Sequence, residues 1–165
     1  MTEREFSIAL EALARKGFQF TMKGFPHGRI AMTNGCFDIL HRGHVECLEY
    51  ARAQGDYLIV AINDDDSIRQ LKGSSRPVIK LDDRMYVLKS LECVDMVVSF
   101  HDIRATEVFR TIRPDVYVKG GDYNIDSLDG GERDALLSWD PQPEFKFFKF
   151  KTNISTTEII KRMNQ

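Results

Sequence analysis

The chain has 165 residues, of which 42% are hydrophobic and 29% are charged, and its formal net charge is −2. This length suits one domain with a substantial core, no run reaches the ~20 apolar residues of a membrane-spanning helix, and the charge argues against a general nucleic-acid-binding protein. Because the first residues lack a signal-peptide pattern and the three cysteines show no disulfide spacing, we expect a cytoplasmic protein that binds neither membranes nor nucleic acids.

Residues 1–29 are predicted to form an N-terminal helix followed by a linker. Apolar residues at helical spacing indicate the helix: Phe6, Leu10, Leu13 and Ala14. Residues that interrupt helices follow: Gly24, Pro26 and Gly28. Residues 30–165 then form the expected main domain.

Beyond residue 29, predicted strands alternate with predicted helices. The strands are short apolar runs rich in β-branched or aromatic residues, at 30–32, 57–62, 94–99, 116–118 and 145–150. The helices are predicted at 45–54, 65–71, 81–91, 105–112 and 132–138. This alternation implies right-handed crossovers and a mainly parallel sheet covered on both faces. The predicted fold class is α/β, a Rossmann-like three-layer sandwich with about five strands.

Residues 33–44, with the sequence TNGCFDILHRGH, are the most informative segment of the chain. They join the first predicted strand of the main domain to a helix, so His41 and His44 lie near a helix N-terminus. Free backbone N–H groups and the helix dipole favour a bound phosphate there. Gly43, between the histidines, removes side-chain bulk. The segment therefore predicts a phosphate site.

Two simpler interpretations of His41 and His44 are a pair of surface histidines and half of a metal site. A metal site would need further ligands, but the only other histidines are His27 and His101, and no CxxC pair is present. We therefore expect phosphate binding and no protein-bound metal.

Polar or glycine residues also follow three predicted strands: Asn34-Gly35, Asn63-Asp64 and Lys119-Gly120-Gly121-Asp122. Ligands in open α/β sheets bind beyond the carboxyl ends of the strands. The paired glycines would let the backbone approach a ligand, although a plain turn is the alternative.

The stretch from Gly35 to His44 resembles the signature of the HxGH nucleotidylyltransferase superfamily. Four further segments narrow the resemblance: Leu71–Pro77 (LKGSSRP), Asp83–Met85 (DRM), Val118–Tyr123 (VKGGDY) and Ile154–Ile160 (ISTTEII). With these, the chain resembles the D-glycero-β-D-manno-heptose 1-phosphate adenylyltransferase branch from about residue 30 onwards. Residues 124–144 depart from the pattern of that branch. The related glycerol-3-phosphate cytidylyltransferases have an arginine shortly before their Ile-Ser-Thr motif, whereas this chain has Lys151-Thr152-Asn153 there.

The resemblance implies transfer of AMP from ATP to D-glycero-β-D-manno-heptose 1-phosphate, which gives ADP-heptose and pyrophosphate for lipopolysaccharide core biosynthesis. Mg²⁺ would enter with the nucleotide, held largely by phosphates and water. The alternatives are a cytidylyltransferase that acts on glycerol 3-phosphate or another small phosphorylated acceptor, and a non-catalytic nucleotide sensor. The family also implies a homodimer. A separate heptose kinase would supply the acceptor, because bifunctional relatives carry a kinase domain and these 165 residues do not.

Such a transfer needs positioned cations rather than a protein nucleophile, because the acceptor phosphate is already an anion. The expected catalytic residues are His41, His44 and Lys72. The expected nucleotide-binding residues are Gly35, Cys36, Phe37, His41, His44, Arg84, Lys119, Gly120, Gly121, Ser155 and Thr156. The expected acceptor-binding residues are Asp38, Lys72 and Asp122.

Several of these residues have a simpler structural interpretation. Lys72 could be a solvated lysine, and Arg84 could form a local ion pair with Asp82 or Asp83. Asp38 could hold the phosphate loop instead of binding the acceptor. The run Ser155-Thr156-Thr157-Glu158 is also a capping-box pattern for the last helix, which is compatible with phosphate binding at the same N-terminus.

Overall fold

The computed structural model describes residues 1–151, 154–163 and 165. Thr152 and Asn153, part of the departure from the cytidylyltransferases noted above, lie outside these residues. Within the described ranges, no helix has the length and apolar character needed to cross a membrane.

A six-stranded sheet forms the centre of the fold. Its strands in chain order are β1 (Phe20–Met22), β2 (Ile30–Gly35), β3 (Tyr57–Asn63), β4 (Met96–Phe100), β5 (Val116–Gly120) and β6 (Glu144–Phe148). Their spatial order is β1-β4-β3-β2-β5-β6, and all neighbours are parallel except β1, which is antiparallel to β4. The chain builds outwards from β2 first towards β4 and then towards β6, so β2 and β5 flank the topological switch point where ligands bind in such sheets.

In the part of the chain that the structure describes, seven α-helices connect and cover the strands. They are α1 (Glu3–Arg15), α2 (Arg42–Arg52), α3 (Asp65–Lys72), α4 (Leu81–Ser90), α5 (Thr106–Thr111), α6 (Gly130–Leu137) and α7 (Thr156–Met163), with a 3₁₀ turn at Ile125–Ser127. Side chains of β2 alternate between the two faces of the sheet: Ile30 and Met32 join one buried cluster and Ala31 joins the other. Residues of α1, α5 and α6 belong to the first cluster, and residues of α2 and α4 belong to the second. The predicted α/β class and three-layer arrangement are confirmed.

The sheet has six strands rather than about five, because β1 lies in the segment predicted as a linker. Its three residues are too few to show the alternation that marks a strand. They are strand residues because Phe20 and Met22 pair with Val98 and Met96 of β4, a contact distant in sequence. The last strand is also shorter than predicted and ends at Phe148, which leaves Phe150 in the segment that leads to α7.

The N-terminal helix α1 packs against the central sheet. Its capping box joins Thr2 and Glu5, with Glu5 N donating to the Thr2 hydroxyl at 3.3 Å and Thr2 N donating to the Glu5 carboxylate at 2.7 Å. Phe6 and Leu13 are fully buried in the cluster that also contains Met96 and Val98. The division at residue 30 stays a prediction.

Candidate active site

The loop between β2 and α2 forms the floor of the site. Phe37 has a backbone φ of 46°, in the left-handed region that side chains other than glycine adopt rarely. Such strain, which costs of order 1–3 kcal/mol, is concentrated at functional sites. A Cβ on Gly35 would lie 3.1 Å from the Phe37 ring, so glycine leaves room for that ring, which packs against His44 with centroids 5.3 Å apart.

His41 and His44 form a stacked pair at the start of α2. Their ring centroids are 3.9 Å apart with planes inclined by 28°, and His41 N donates to His44 Nδ1 at 3.4 Å. Because Nδ1 accepts, the neutral ring of His44 carries its proton on Nε2, which has no hydrogen-bond partner among the described residues. Burial, assisted by His41, lowers the pKa of His44 to about 4, and burial also lowers the pKa of His41. Both imidazoles are therefore neutral hydrogen-bonding groups at neutral pH.

Three cavities meet at the carboxyl ends of the central strands. Cavity A, of about 400 Å³, is lined by the charged residues Lys72, Arg104, Lys119, Asp129 and Glu132 among others. Cavity B, of about 270 Å³, runs from Asn34 past His44 to Gly120 and Phe150. Cavity C, of about 340 Å³, is lined by both histidines together with Lys72, Arg76, Ser155 and Thr156. Cys36 lines all three cavities, which therefore form one cleft.

The structure brings most of the predicted site residues to this cleft. Those that line it are Gly35, Cys36, Phe37, Asp38, His41, His44, Lys72, Lys119, Gly120, Ser155 and Thr156. Arg84, Gly121 and Asp122 line none of the three cavities. Asp122 is exposed, and Gly121 adopts a positive φ of 124°, as a turn requires. The sequence-based role of Asp122 in acceptor binding has no support in this arrangement.

Arg84 was expected to bind nucleotide, but its side chain is only 1% exposed and all its hydrogen bonds are made inside the protein. Nε donates to Ile79 O at 3.0 Å. Nη1 donates to the carbonyls of Cys36 and Asn63, and Nη2 to the Asp65 carboxylate, each at 2.8 Å. Arg84 therefore ties the phosphate loop to the ends of β3 and α3, and the structure replaces its expected ligand contact by a positioning role.

Asp38, expected to bind the acceptor, holds the loop between α3 and α4 instead. Its carboxylate accepts from Val78 N at 2.8 Å, from Ile79 N at 2.9 Å and from Arg76 Nε. Burial acts to raise the pKa of Asp38, but these hydrogen bonds outweigh it and hold the pKa below its ordinary value. Asp38 is therefore ionised and fully engaged at neutral pH, which matches the alternative role considered from the sequence.

Lys119 belongs to a buried polar network at the end of β5. Its Nζ donates to Asn34 Oδ1 at 2.9 Å and lies 4.0 Å from Glu132 Oε2. Asn34 Nδ2 donates to Glu132 at 2.8 Å, and the Tyr117 hydroxyl donates to Asn34 Oδ1 at 2.8 Å. Burial lowers the pKa of Lys119, and Glu132 opposes that shift. The network places the Lys119 ammonium, whose charge Glu132 partly balances, between cavities A and B.

The N-terminus of α7 borders cavity C. Glu158 N donates to Ser155 Oγ at 3.1 Å, so Ser155 caps the helix. The hydroxyl of Thr156 donates to Ile39 O at 3.4 Å and joins α7 to the phosphate loop. The helix start that Ser155 caps therefore lies beside the histidine pair, where the predicted phosphate site would be.

Gly43 and Gly120 make room for the ring of Phe150. A Cβ on Gly120 would lie 2.8 Å from both Phe150 Cζ and Cys47 Sγ, and one on Gly43 would lie 3.3 Å from Phe150 Cδ1 and 3.2 Å from the His41 ring. Phe150 thus covers the glycines beside His41 and His44.

Six charged or amide residues line the cleft without a role predicted from the sequence: Asn34, Asn63, Arg76, Arg104, Asp129 and Glu132. Three of them carried a signal, because Asn34 and Asn63 lie at strand ends and Arg76 lies in the LKGSSRP segment. Arg104 and Glu132 pair with Asp129 and the Asn34 amide across element boundaries, and no local pattern indicates such contacts.

Cys36 is poorly suited to be a nucleophile. Burial raises the pKa of its thiol, and the nearby Lys72 only partly opposes this shift. In the part of the chain that the structure describes, no group of three His, Cys, Asp or Glu side chains could hold a metal ion.

The chain is similar to known proteins. A family model described as cytidylyltransferase-like matches residues 32–162. The bifunctional protein HldE of Alcanivorax borkumensis is 44% identical over 165 residues, which are 100% of this chain and 32% of that protein. The bifunctional protein HldE of Photorhabdus laumondii is 50% identical over 133 residues, 81% of this chain and 27% of that protein. The chain thus spans about a third of the length of the curated relatives it matches.

A solved structure adds support for the fold. The lipopolysaccharide core biosynthesis protein from Thermoplasma volcanium superposes with a TM-score of 0.60 and 23% identity, over 78% of this chain and 100% of that one. The family match bears out the prediction of a nucleotidyltransferase. The chain belongs to the cytidylyltransferase-like family.

Proposed function

We propose that the protein transfers AMP from ATP to D-glycero-β-D-manno-heptose 1-phosphate, forming ADP-heptose and pyrophosphate. The observation that carries this proposal is the neutral His41–His44 pair beside the N-terminus of α7 in cavity C. The heptose assignment rests on the five sequence motifs and on the similarity to HldE proteins.

In the proposed reaction, an oxygen of the acceptor phosphate attacks the α-phosphorus of ATP, and the bond from that phosphorus to the bridging oxygen of pyrophosphate breaks. His44 donates from Nε2 to a phosphate oxygen, and His41 acts at the same helix start. Neutral imidazoles suit this task because they donate hydrogen bonds without needing to be protonated at neutral pH. Their contribution grows as charge builds on the leaving group.

Lys72 is the proposed cation at the reacting centre. It lines both cavity A and cavity C, so it lies where the two substrates would meet. In cavity A, Arg104 pairs with Asp129 at 2.7 Å, and Lys119 lies 4.0 Å from Glu132. Apart from Lys72, the cations of cavity A are matched by carboxylates, and this polar cavity suits the hydroxyl groups of a sugar. Cavity C, with both histidines and the start of α7, suits phosphates. Lys72 would then stabilise the phosphoryl group as it passes between them.

We propose that Mg²⁺ enters with ATP and is held by phosphate oxygens and water. The carboxylates in the cleft are already engaged: Asp129 pairs with Arg104, Glu132 accepts from Asn34 and Ala105, and Asp38 accepts from the 76–79 loop. The residues present therefore fit an ion that arrives with its own phosphate ligands. Such an ion supplies charge neutralisation along the triphosphate.

We also propose a cytoplasmic location, a homodimeric state, and a separate kinase reaction that makes the heptose 1-phosphate. The location is inferred from the cysteine spacing, and the other two follow from the family resemblance. Size-exclusion chromatography with light scattering tests the dimer independently of activity.

The proposed activity is tested by measuring pyrophosphate release with Mg²⁺ and each of ATP, CTP, GTP and UTP, with and without heptose 1-phosphate. We expect release with ATP that depends on the acceptor. Release with CTP and glycerol 3-phosphate would assign the chain to the cytidylyltransferase alternative, and tight ATP binding without release would indicate a sensor. His44→Ala should lower turnover on the order of 10²–10³-fold, the usual effect of removing one such donor.

A further inference from the structure

Arg76 is anchored through the Nε of its guanidinium group. It lies in the loop between α3 and α4, and its side chain is 13% exposed. Nε donates to the Asp38 carboxylate, which is 1% exposed and also accepts from the backbone N–H groups of Val78 and Ile79. Because these donors fix the carboxylate, they also fix the orientation of the arginine.

The other edge of the guanidinium is free. Within residues 1–151, 154–163 and 165, Nη1 and Nη2 of Arg76 have no hydrogen-bond partner. Arg84 provides the contrast, since its Nε and both terminal nitrogens all donate to protein oxygens. The planar fork of an arginine matches two oxygens of a phosphate. The free edge of Arg76 is therefore available to a ligand.

The surroundings of Arg76 select an anion. Arg76 and Lys72 both line cavity C, and Asp38 is the one carboxylate among the described residues of its wall. Asp38 balances one of these cations, so the cavity keeps an excess of positive charge. His41 and His44 add neutral donors. In cavity A, Arg104 and Lys119 are both matched by carboxylates, so Lys72 is the unmatched cation that the two cavities share.

We propose that Arg76 is a phosphate-binding residue of the cleft, whose Nη1 and Nη2 bind oxygens of the pyrophosphate part of the nucleoside triphosphate. This inference rests on the proposed function and adds a residue to it. Asp38 acts through Arg76 as a positioning residue. Pyrophosphate is the favoured partner because it carries more charge than the acceptor monophosphate, and because Arg76 lines cavity C together with Lys72, His41 and His44.

The test is calorimetric titration of inorganic pyrophosphate into the wild type, Arg76→Ala, Arg76→Lys and the control Arg69→Ala. Arg69 is a half-exposed arginine of α3 that pairs with Asp66, so its variant removes the same charge outside the cleft. We expect Arg76→Ala to weaken pyrophosphate binding about 10- to 100-fold, the effect of losing charge-assisted hydrogen bonds. Arg76→Lys should weaken it about tenfold, and Arg69→Ala less than twofold.

Arg76→Lys keeps a cation beside Asp38 and serves as the variant that preserves folding, which thermal unfolding checks for each protein. Pyrophosphate affinity within twofold of wild type in both folded Arg76 variants would overturn the proposal. So would weakened binding of heptose 1-phosphate with unchanged binding of pyrophosphate, because Arg76 would then serve the acceptor.

Pyrophosphate release by the wild type with ATP and acceptor, measured in parallel, separates this inference from the proposed function. If the wild type turns over but pyrophosphate binding does not depend on Arg76, the role of Arg76 is overturned and the proposed function stands. If pyrophosphate binding depends on Arg76 but the wild type does not turn over, the role of Arg76 is supported and only the proposed function is overturned.

Discussion

The replacement Arg84→Met tests whether Arg84 acts on the fold or on the nucleotide. Methionine preserves most of the apolar stem and removes every donor. The carbonyls of Ile79, Cys36 and Asn63 would each lose a hydrogen bond of 2.8–3.0 Å. Each such loss costs about 1 kcal/mol.

The Arg84–Asp65 ion pair adds a smaller amount to that cost. Asp65 is 27% exposed, so water can solvate its carboxylate once the guanidinium is gone. We therefore assign it about 1 kcal/mol rather than the larger penalty of a fully buried pair. The expected loss of unfolding free energy is about 3–4 kcal/mol, a large part of the 5–15 kcal/mol that is typical of a domain.

The loss can be measured by urea unfolding, followed by the fluorescence of the single tryptophan, Trp139. Arg15→Met is the matched control, because the Arg15 side chain is 81% exposed and pairs only loosely with Glu11, at 3.6 Å. We expect the control to change stability by less than about 0.5 kcal/mol. If Arg84→Met lost less than about 1 kcal/mol while its affinity for ATP fell at least tenfold, Arg84 would bind the nucleotide and the scaffold role would be refuted.

Three further predictions concern the cleft. As the pH falls from 6.5 to about 4, urea unfolding should show a larger loss of stability for the wild type than for His44→Gln. The reason is that His44 takes up a proton in the unfolded chain but stays neutral in the folded one. Equal losses would contradict the buried, neutral imidazole. Gly120→Ala should lower the free energy of unfolding by about 1–3 kcal/mol and raise the KM for ATP, because its Cβ would lie 2.8 Å from Phe150. An unchanged melting temperature and KM would show that Phe150 moves freely. Glu132→Gln should shift the alkaline limb of the kcat/KM profile to lower pH. The Glu132 carboxylate raises the pKa of Lys119 against the effect of burial, so its loss lowers that pKa. An unmoved limb would mean that Lys119 does not control it.

Local patterns were enough to predict most of the sheet and the position of the cleft. The strands β2 to β5 are buried runs of apolar residues, and the polar and glycine residues at their carboxyl ends indicated the binding edge. The strand β1 was missed because its three residues show a strand only through pairing with β4. Propensity over so short a segment is outweighed by tertiary contacts.

The roles of charged residues were harder to predict than their presence. Arg84 has two acidic neighbours in sequence, Asp82 and Asp83, yet its partner is Asp65 on another helix. Glu132 lies in a segment without a recognisable motif and meets Asn34 only in the folded chain. A charged residue shows its chemistry in the sequence, but its partner depends on how distant elements pack.

The amide of Asn34 has a direction, and that direction restricts what position 34 tolerates. Its oxygen faces the Tyr117 hydroxyl and the Lys119 ammonium, and its nitrogen faces the Glu132 carboxylate. Aspartate has nearly the same shape but would set two carboxylates against each other, and leucine would offer neither an acceptor nor a donor. A side chain of this size must therefore accept on one side and donate on the other, and among the standard residues of that size asparagine alone does so without adding charge.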